Sequence, residues 1–236
     1  GNLRNPEADT VFADQLRALL AGQVPAAVQL ELINAAGRRA DPKIKALVAE
    51  HEKSVSSSTD PLASFRVALE GGDKERGRRI FESQATLPCI RCHRAGAEGG
   101  DAGPNLAGIG AKQSREYLLE SIVKPNAKIA PGYDTVVVTL KSGRVVAGIV
   151  AQETADTLSL RDTENKVAAV AKSEIAKREG APSSMPEVYA TLLTKQQIRD
   201  VVEYLASLRD SAANAAVDSS LPRALRGLPA AAKSTE

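Results

Sequence analysis

The two cysteines of this chain, Cys89 and Cys92, are followed at once by His93, one of only two histidines. The resulting C-x-x-C-H stretch holds all the thiols of a 236-residue protein. Thiols and imidazoles carry out redox chemistry, bind metals and form covalent links to cofactors. The sequence therefore has one prominent candidate site, and the spacing of its residues indicates which of these chemistries it serves.

Three chemistries use two cysteines separated by two residues. A redox dithiol requires a thioredoxin-like βαβ setting, whereas the segments on either side of this motif have helical patterns. A zinc site requires four ligands, and His51 is the obvious candidate for a fourth. A c-type haem requires two thiols for its vinyl groups and a histidine directly after them for its iron, so the motif favours haem over zinc and the dithiol.

The composition fits a packed protein that is short of aromatic bulk. Hydrophobic residues make up 43% of the chain, which is ordinary, but there are three Phe, four Tyr and no Trp. A haem would fill part of such a core. The formal net charge is +2 with no long basic run, so we expect no nucleic-acid partner. No stretch approaches eighteen consecutive apolar residues, so we expect no membrane span.

Helical patterns dominate the chain on both sides of the motif. Residues 1–55 show three amphipathic segments separated by Gly or Asp-Pro, which resemble the end of a HEAT-type array, with a plain helical cap as the alternative. Other helices are expected after the N-cap residues Asp60, Asp73, Ser114 and Thr194. Between Tyr133 and Ile175 the β-branched runs and short polar turns instead predict two β-hairpins.

The stretch GRRIFESQATLPCIRCHRAGAEGGDAGPNLAGIG resembles a class I cytochrome c. The resemblance implies that His93 is the proximal iron ligand and that the carbonyl of Pro104 accepts a hydrogen bond from its other ring nitrogen. It also implies that the helix before the motif crosses the last helix through Gly77, Phe81, Tyr204 and Leu205.

The single methionine, Met185, is the expected sixth ligand of the iron. It stands between Pro182 and Pro186, which stiffen its loop, and the last predicted helix follows it as in cytochromes c. An ordinary core position is the alternative for a lone methionine. His51 is the fallback ligand, but its charged helix favours a solvent-facing position.

The order of motifs over residues 70–210 resembles the haem-binding domain of large exported planctomycete and verrucomicrobial proteins. That resemblance implies a mainly α fold in which a small Sm-like β-barrel interrupts the cytochrome c domain after a short helical-repeat segment. The expected division is a helical segment at 1–58, a cytochrome c domain at 59–130 and 181–210, a barrel at 131–180 and a disordered tail at 211–236.

These features predict a cytochrome that is not an enzyme and that carries one covalent haem c. It would pass single electrons from a periplasmic dehydrogenase or redox protein to an unknown acceptor. A haem-based sensor or peroxidase-like enzyme with a labile sixth ligand is the alternative, and a partner-binding scaffold is a third. Covalent haem attachment through C-x-x-C-H implies export to a periplasm-like compartment. The chain starts at Gly1 without a leader, so we expect a processed or excised piece from which any export signal has been removed. Six basic residues are candidates for steering an acidic partner, with a solvated helix face as the alternative: Lys74, Arg76, Arg78, Arg79, Arg91 and Arg94.

Overall fold

The computed structural model describes residues 6–83, 88–96 and 98–209. Helix accounts for 47% of the structure and strand for 17%, so the predicted predominance of helix agrees with the fold. The tail predicted at 211–236 lies outside the described residues. Among the residues described, no helix is both long and apolar enough to cross a membrane.

Four of the helices begin after a capping side chain, namely Asp41, Asp73, Ser114 and Thr194. The α-helices span Pro6–Leu20 (α1), Ala26–Gly37 (α2), Pro42–Ser56 (α3), Lys74–Ser83 (α4), Ile109–Lys112 (α5), Arg115–Val123 (α6), Tyr189–Leu192 (α7) and Lys195–Ser207 (α8). The predicted N-caps of α6 and α8 are confirmed, because Ser114 accepts from the Tyr117 N–H and Thr194 forms a capping box with Gln197.

The segment after Asp60 differs from the predicted α-helix. It forms a short 3₁₀ helix, Ala63–Ala68, and its entry is fixed by the Asp60 carboxylate, which accepts a hydrogen bond from the Leu62 N–H. Such a local side-chain bond competes with the start of a regular α-helix. The segment then ends near Gly71, whose φ of 80° an α-helix cannot accommodate.

The first three helices pack around their own apolar cluster and are joined to α8 by a buried arginine. Leu16, Leu19 and Ile44 lie at the centre of the cluster. On α8, the side chain of Arg199 is 2% exposed and donates to both carboxylate oxygens of Glu31 on α2. The contact joins residues 168 positions apart in the chain.

We expect Glu31→Gln to lower the free energy of unfolding by about 2 kcal/mol, because it leaves the buried Arg199 guanidinium without its counter-charge. Arg199 lowers the pKa of Glu31 below its ordinary value of 4.5. The pair therefore contributes fully to the free energy of unfolding above pH 4.5. This contribution is lost as the pH falls through the lower pKa of the folded state. Denaturant unfolding of wild type and variant at neutral and acidic pH tests this, and a difference that persists at low pH would contradict it.

The β segment is one antiparallel sheet of five strands in the order β4-β3-β2-β1-β5. The strands span Thr135–Leu140 (β1), Val145–Glu153 (β2), Thr157–Arg161 (β3), Val167–Ala171 (β4) and Ile175–Ala181 (β5). The two predicted hairpins correspond to β1-β2 and β3-β4. Val138, Leu158 and Leu160 form the centre of its apolar core.

The prediction of a small Sm-like barrel is wrong, because the sheet is open. A closed barrel needs pairing between β4 and β5, and among the described strands β4 pairs with β3 alone and β5 with β1 alone. The sequence also did not reveal β5. Its residues are charged and mostly exposed, so it lacks the alternation of apolar and polar residues that marks a half-buried strand.

The helical domain is built around the crossing of α4 and α8. Phe81 on α4 and Tyr204 on α8 pack with their ring centroids 5.5 Å apart. At the crossing point, a Cβ added to Gly77 would lie 1.9 Å from the backbone oxygen of Asp200. The absence of a side chain at Gly77 therefore allows the two helices to touch backbone to backbone. This pair holds the core on which the C-x-x-C-H segment lies.

Candidate haem-binding site

The C-x-x-C-H residues lie on one compact turn. Cys89–Arg91 forms a 3₁₀ helix, and the N–H groups of Cys92 and His93 both donate to the carbonyl of Cys89, at 3.2 and 2.9 Å. Both cysteines are half-buried and neither forms a disulfide. Because the turn is tight, two thiols and an imidazole are presented from five consecutive residues.

The environment of the two thiols argues against the dithiol alternative. Burial raises the pKa of Cys89 to about 11 and also raises the pKa of Cys92. Redox-active cysteines have the opposite property, a pKa lowered by nearby cations or a helix N-terminus, because the thiolate is the reactive form. These two side chains remain protonated thiols at neutral pH.

The imidazole of His93 is oriented by a backbone carbonyl. Its Nδ1 lies 2.9 Å from the carbonyl oxygen of Pro104, which has no hydrogen to give, so Nδ1–H is the donor. The tautomer is thereby set, and Nε2 keeps its lone pair. Burial lowers the pKa of His93, although the bond to Pro104 opposes this effect. The ring is therefore held neutral, which is the state that binds a metal ion.

The loop after the motif closes against this ring. The N–H of Gly103 donates to the carbonyl of Cys92 at 2.8 Å, and the N–H of Leu106 donates to the carbonyl of Arg94 at 2.7 Å. A Cβ added to Gly103 would lie 2.6 Å from Cε1 of His93. The loop backbone thus supports one side of the imidazole, and only glycine permits this approach.

Met185 is half-buried and packs, as Cys89 does, against the core of the helical domain. Its loop is fixed on both sides of the thioether by Asn126. The amide oxygen of Asn126 accepts from the N–H of Ser183 at 2.7 Å, and its amide nitrogen donates to Glu187 at 2.5 Å. No sequence motif indicated Asn126, because its partners are 57 and 61 positions away.

Tyr189 is a further residue of this region that the motifs did not reveal. It is 6% exposed, at the start of α7. Its pKa is raised mainly by burial and also by the nearby Cys89 and Cys92 side chains. Tyr189 belongs to the apolar cluster against which Cys89 packs, and no motif in the sequence indicated it.

The zinc alternative has no ligand set. His51 lies on α3, where burial and the charge of Lys195 lower its pKa. Within the ranges that the structure describes, no three His, Cys, Asp or Glu side chains are grouped so that they could hold a metal ion. A tetrahedral zinc site with C-x-x-C-H ligands and His51 is therefore not formed.

The surface around α4 is less basic than its sequence suggests. Three of the six basic residues are ion-paired, as Arg76 with Asp200, Arg78 with Glu82 and Arg94 with Asp101. An open groove of about 560 Å³ lies between α4 and the start of α8, next to Arg79 and Gln196. It is lined by none of the C-x-x-C-H residues.

The donor set on this turn fits a c-type haem. The fit rests on two protonated thiols, a neutral imidazole with Nε2 available, and Gly103, whose lack of a side chain makes room for that imidazole. A family model described as Cytochrome c matches residues 74–157. The matched stretch contains α4, the motif and α6, and ends before Met185 and α8. No curated protein matches the chain. The match supports a cytochrome c haem-binding domain in this chain, and that family binds haem c covalently through the C-x-x-C-H motif, formed here by Cys89, Cys92 and His93.

Proposed function

We propose that this domain is a one-electron carrier in which His93 and Met185 would hold the haem iron. When bound, haem c supplies a reversible Fe(III)/Fe(II) couple. The observation that carries the proposal is the bond between His93 Nδ1 and Pro104, which leaves a neutral imidazole with its Nε2 lone pair available. Cys89 and Cys92 supply the two thiols for the thioether links.

Support for Met185 comes from its loop. A thioether is a weak ligand, and it binds iron well only when the protein holds it in place. Asn126 bonds residues on both sides of Met185, and the Met185 N–H donates to Ser183 Oγ at 3.2 Å. The loop is therefore restrained independently of any bond that the sulfur makes. A haem iron held by both His93 and Met185 would have no open site for substrate.

The partners and compartment follow from the same proposal. The electron donor is proposed to be a periplasmic dehydrogenase or its domain, as in the exported planctomycete and verrucomicrobial proteins that the sequence resembles. The proposed units are a HEAT-like segment at 1–58, a cytochrome c domain at 59–130 and 181–210, and an inserted sheet at 131–180. The supporting observation is that the two parts on either side of the sheet meet at the α4–α8 crossing.

The decisive experiment replaces Met185 with alanine and, separately, with leucine in the holoprotein. Both variants are expected to lose the weak far-red band of methionine bound to ferric iron, to bind carbon monoxide readily, and to show a midpoint potential lower by about 0.1 V or more. Leucine keeps the apolar volume of the side chain, so it separates ligation from packing.

An unchanged spectrum and potential in both variants would remove Met185 as a ligand. Wild-type protein that is already high-spin and binds carbon monoxide would instead favour the sensor or peroxidase-like alternative.

A further inference from the structure

The inserted sheet contacts the loop that follows the C-x-x-C-H motif at one residue, Asp101. Arg161, the last residue of β3, donates from Nη1 to the carbonyl oxygen of Asp101 at 2.8 Å, across 60 positions of sequence. Asn165, in the turn between β3 and β4, accepts from the N–H of Asp101 at 3.2 Å. Both backbone polar groups of Asp101 are therefore bound by the sheet.

The carboxylate of Asp101 continues the connection toward the motif. It pairs with the guanidinium of Arg94, with Arg94 Nε 3.3 Å from Oδ1. Arg94 is 9% exposed and directly follows His93. Gly103, two residues after Asp101, lies against the His93 ring. The loop segment between these contacts is thus fixed to the sheet at one side and to the imidazole at the other.

Stability alone does not account for Arg161. Arg161 is 5% exposed, and burying a guanidinium is costly unless its N–H groups are hydrogen-bonded. Here Nη1 has the Asp101 carbonyl, whereas Nη2 is buried without a partner among the described residues. An apolar side chain at the end of β3 would serve the core of the sheet at lower cost. What Arg161 adds is the contact with the loop.

Asn165 supports the same contact by a different route. Its φ of 64° suits the turn, a conformation that glycine adopts equally well. The turn therefore requires a residue tolerant of positive φ, but it does not require an amide side chain. The amide oxygen is the part that reaches Asp101.

We propose that Arg161 and Asn165 are positioning residues for the proximal iron ligand. Through Asp101, the sheet clamps the segment from Asp101 to Gly103 and so limits the movement of the His93 ring. The clamp rests on the proposed role of His93 as a ligand. The sheet is then part of the haem site, and its loss would loosen the iron–imidazole bond without any change to the ligands themselves.

The test uses holoprotein carrying Arg161→Met, Arg161→Lys or Asn165→Gly, with Arg178→Met as the control. Arg178 is a second sheet arginine, but it is exposed and pairs with Glu153 on the sheet itself. Asn165→Gly keeps the turn and removes only the bond to Asp101. It therefore tests the proposal even if the Arg161→Met protein fails to incorporate haem. The readouts are midpoint potential, the electron paramagnetic resonance of the ferric form, and hydrogen exchange of the Gly100 and Gly103 amides.

Arg161→Met and Asn165→Gly are expected to shift the potential and broaden the ferric resonance. We expect them to speed amide exchange at Gly100 and Gly103 about tenfold, because these N–H groups bond the motif carbonyls of Ile90 and Cys92. Arg161→Lys keeps a cationic donor, so it should change each readout less than Arg161→Met does. The Arg178→Met control should match wild type.

Lower global stability with an unchanged potential, resonance and loop exchange would overturn the clamp and leave a merely structural role. Failure of the proposed function has a different signature. Wild-type iron that lacks histidine ligation would refute the role of His93, whereas the loop exchange would still report whether the sheet holds Asp101.

Discussion

Replacing Cys89 and Cys92 together with serine is expected to abolish covalent attachment of haem. Serine has nearly the same shape but cannot form a thioether, and the described part of the chain offers no other thiol. After acid-acetone extraction or on a denaturing gel, the variant should retain no haem, whereas wild type should retain one per chain. Spectra of the pyridine adduct in alkali give the amount directly.

The two single serine variants are the matched controls. Each keeps one thiol, so each is expected to hold haem through one thioether, with a pyridine-adduct band displaced to longer wavelength because one vinyl group stays conjugated. Haem that resists extraction from the double variant would show that attachment does not use these cysteines.

Gly77→Ala is expected to lower the free energy of unfolding by about 3 kcal/mol or more. The new Cβ would lie 1.9 Å from the backbone oxygen of Asp200 and 2.9 Å from Cβ of Tyr204, so α4 and α8 would have to separate. Overpacking of this kind commonly costs about 1 to 3 kcal/mol, and here the obstacle is backbone, which cannot move aside as a flexible side chain can. Denaturant unfolding followed by circular dichroism measures the loss.

Gly37→Ala is the control for glycine replacement as such. Gly37 is the last residue of α2, and a Cβ there would have no neighbour within 4 Å. Its replacement is expected to be neutral or to stabilise by up to about 1 kcal/mol, because alanine favours helix. Equal effects of the two substitutions would show that the crossing at Gly77 is not tightly packed.

The features that could be predicted from sequence depend on near neighbours. The N-cap at Ser114 and the capping box at Thr194 need only the next three residues, and both are formed. The first four strands could also be predicted, because Val, Ile, Leu and Thr recur in them and the turns between paired strands are short. The C-x-x-C-H motif is also local, because five consecutive residues carry both thiols and the imidazole, so its chemistry follows from residue types and spacing alone.

The features that could not be predicted depend on distant residues. Whether five strands close into a barrel depends on pairing between β4 and β5, which no local pattern encodes. The contacts of Asn126 and Arg161 likewise join segments about 60 positions apart, and neither residue stands in a motif. Sequence patterns therefore gave no indication of either contact.

The ion pair between Arg199 and Glu31 couples the unfolding of two parts of the chain. The next residue on α8, Asp200, binds Arg76 at 2.8 Å and accepts from the Asp73 N–H, so adjacent residues tie one helix to α2 and to α4. Removing residues 1–58 would take away Glu31 and leave the Arg199 guanidinium on α8 without its counter-charge. The cooperative unit is therefore larger than the proposed cytochrome c domain, because α8 within that domain is bonded to α2 in the segment at 1–58.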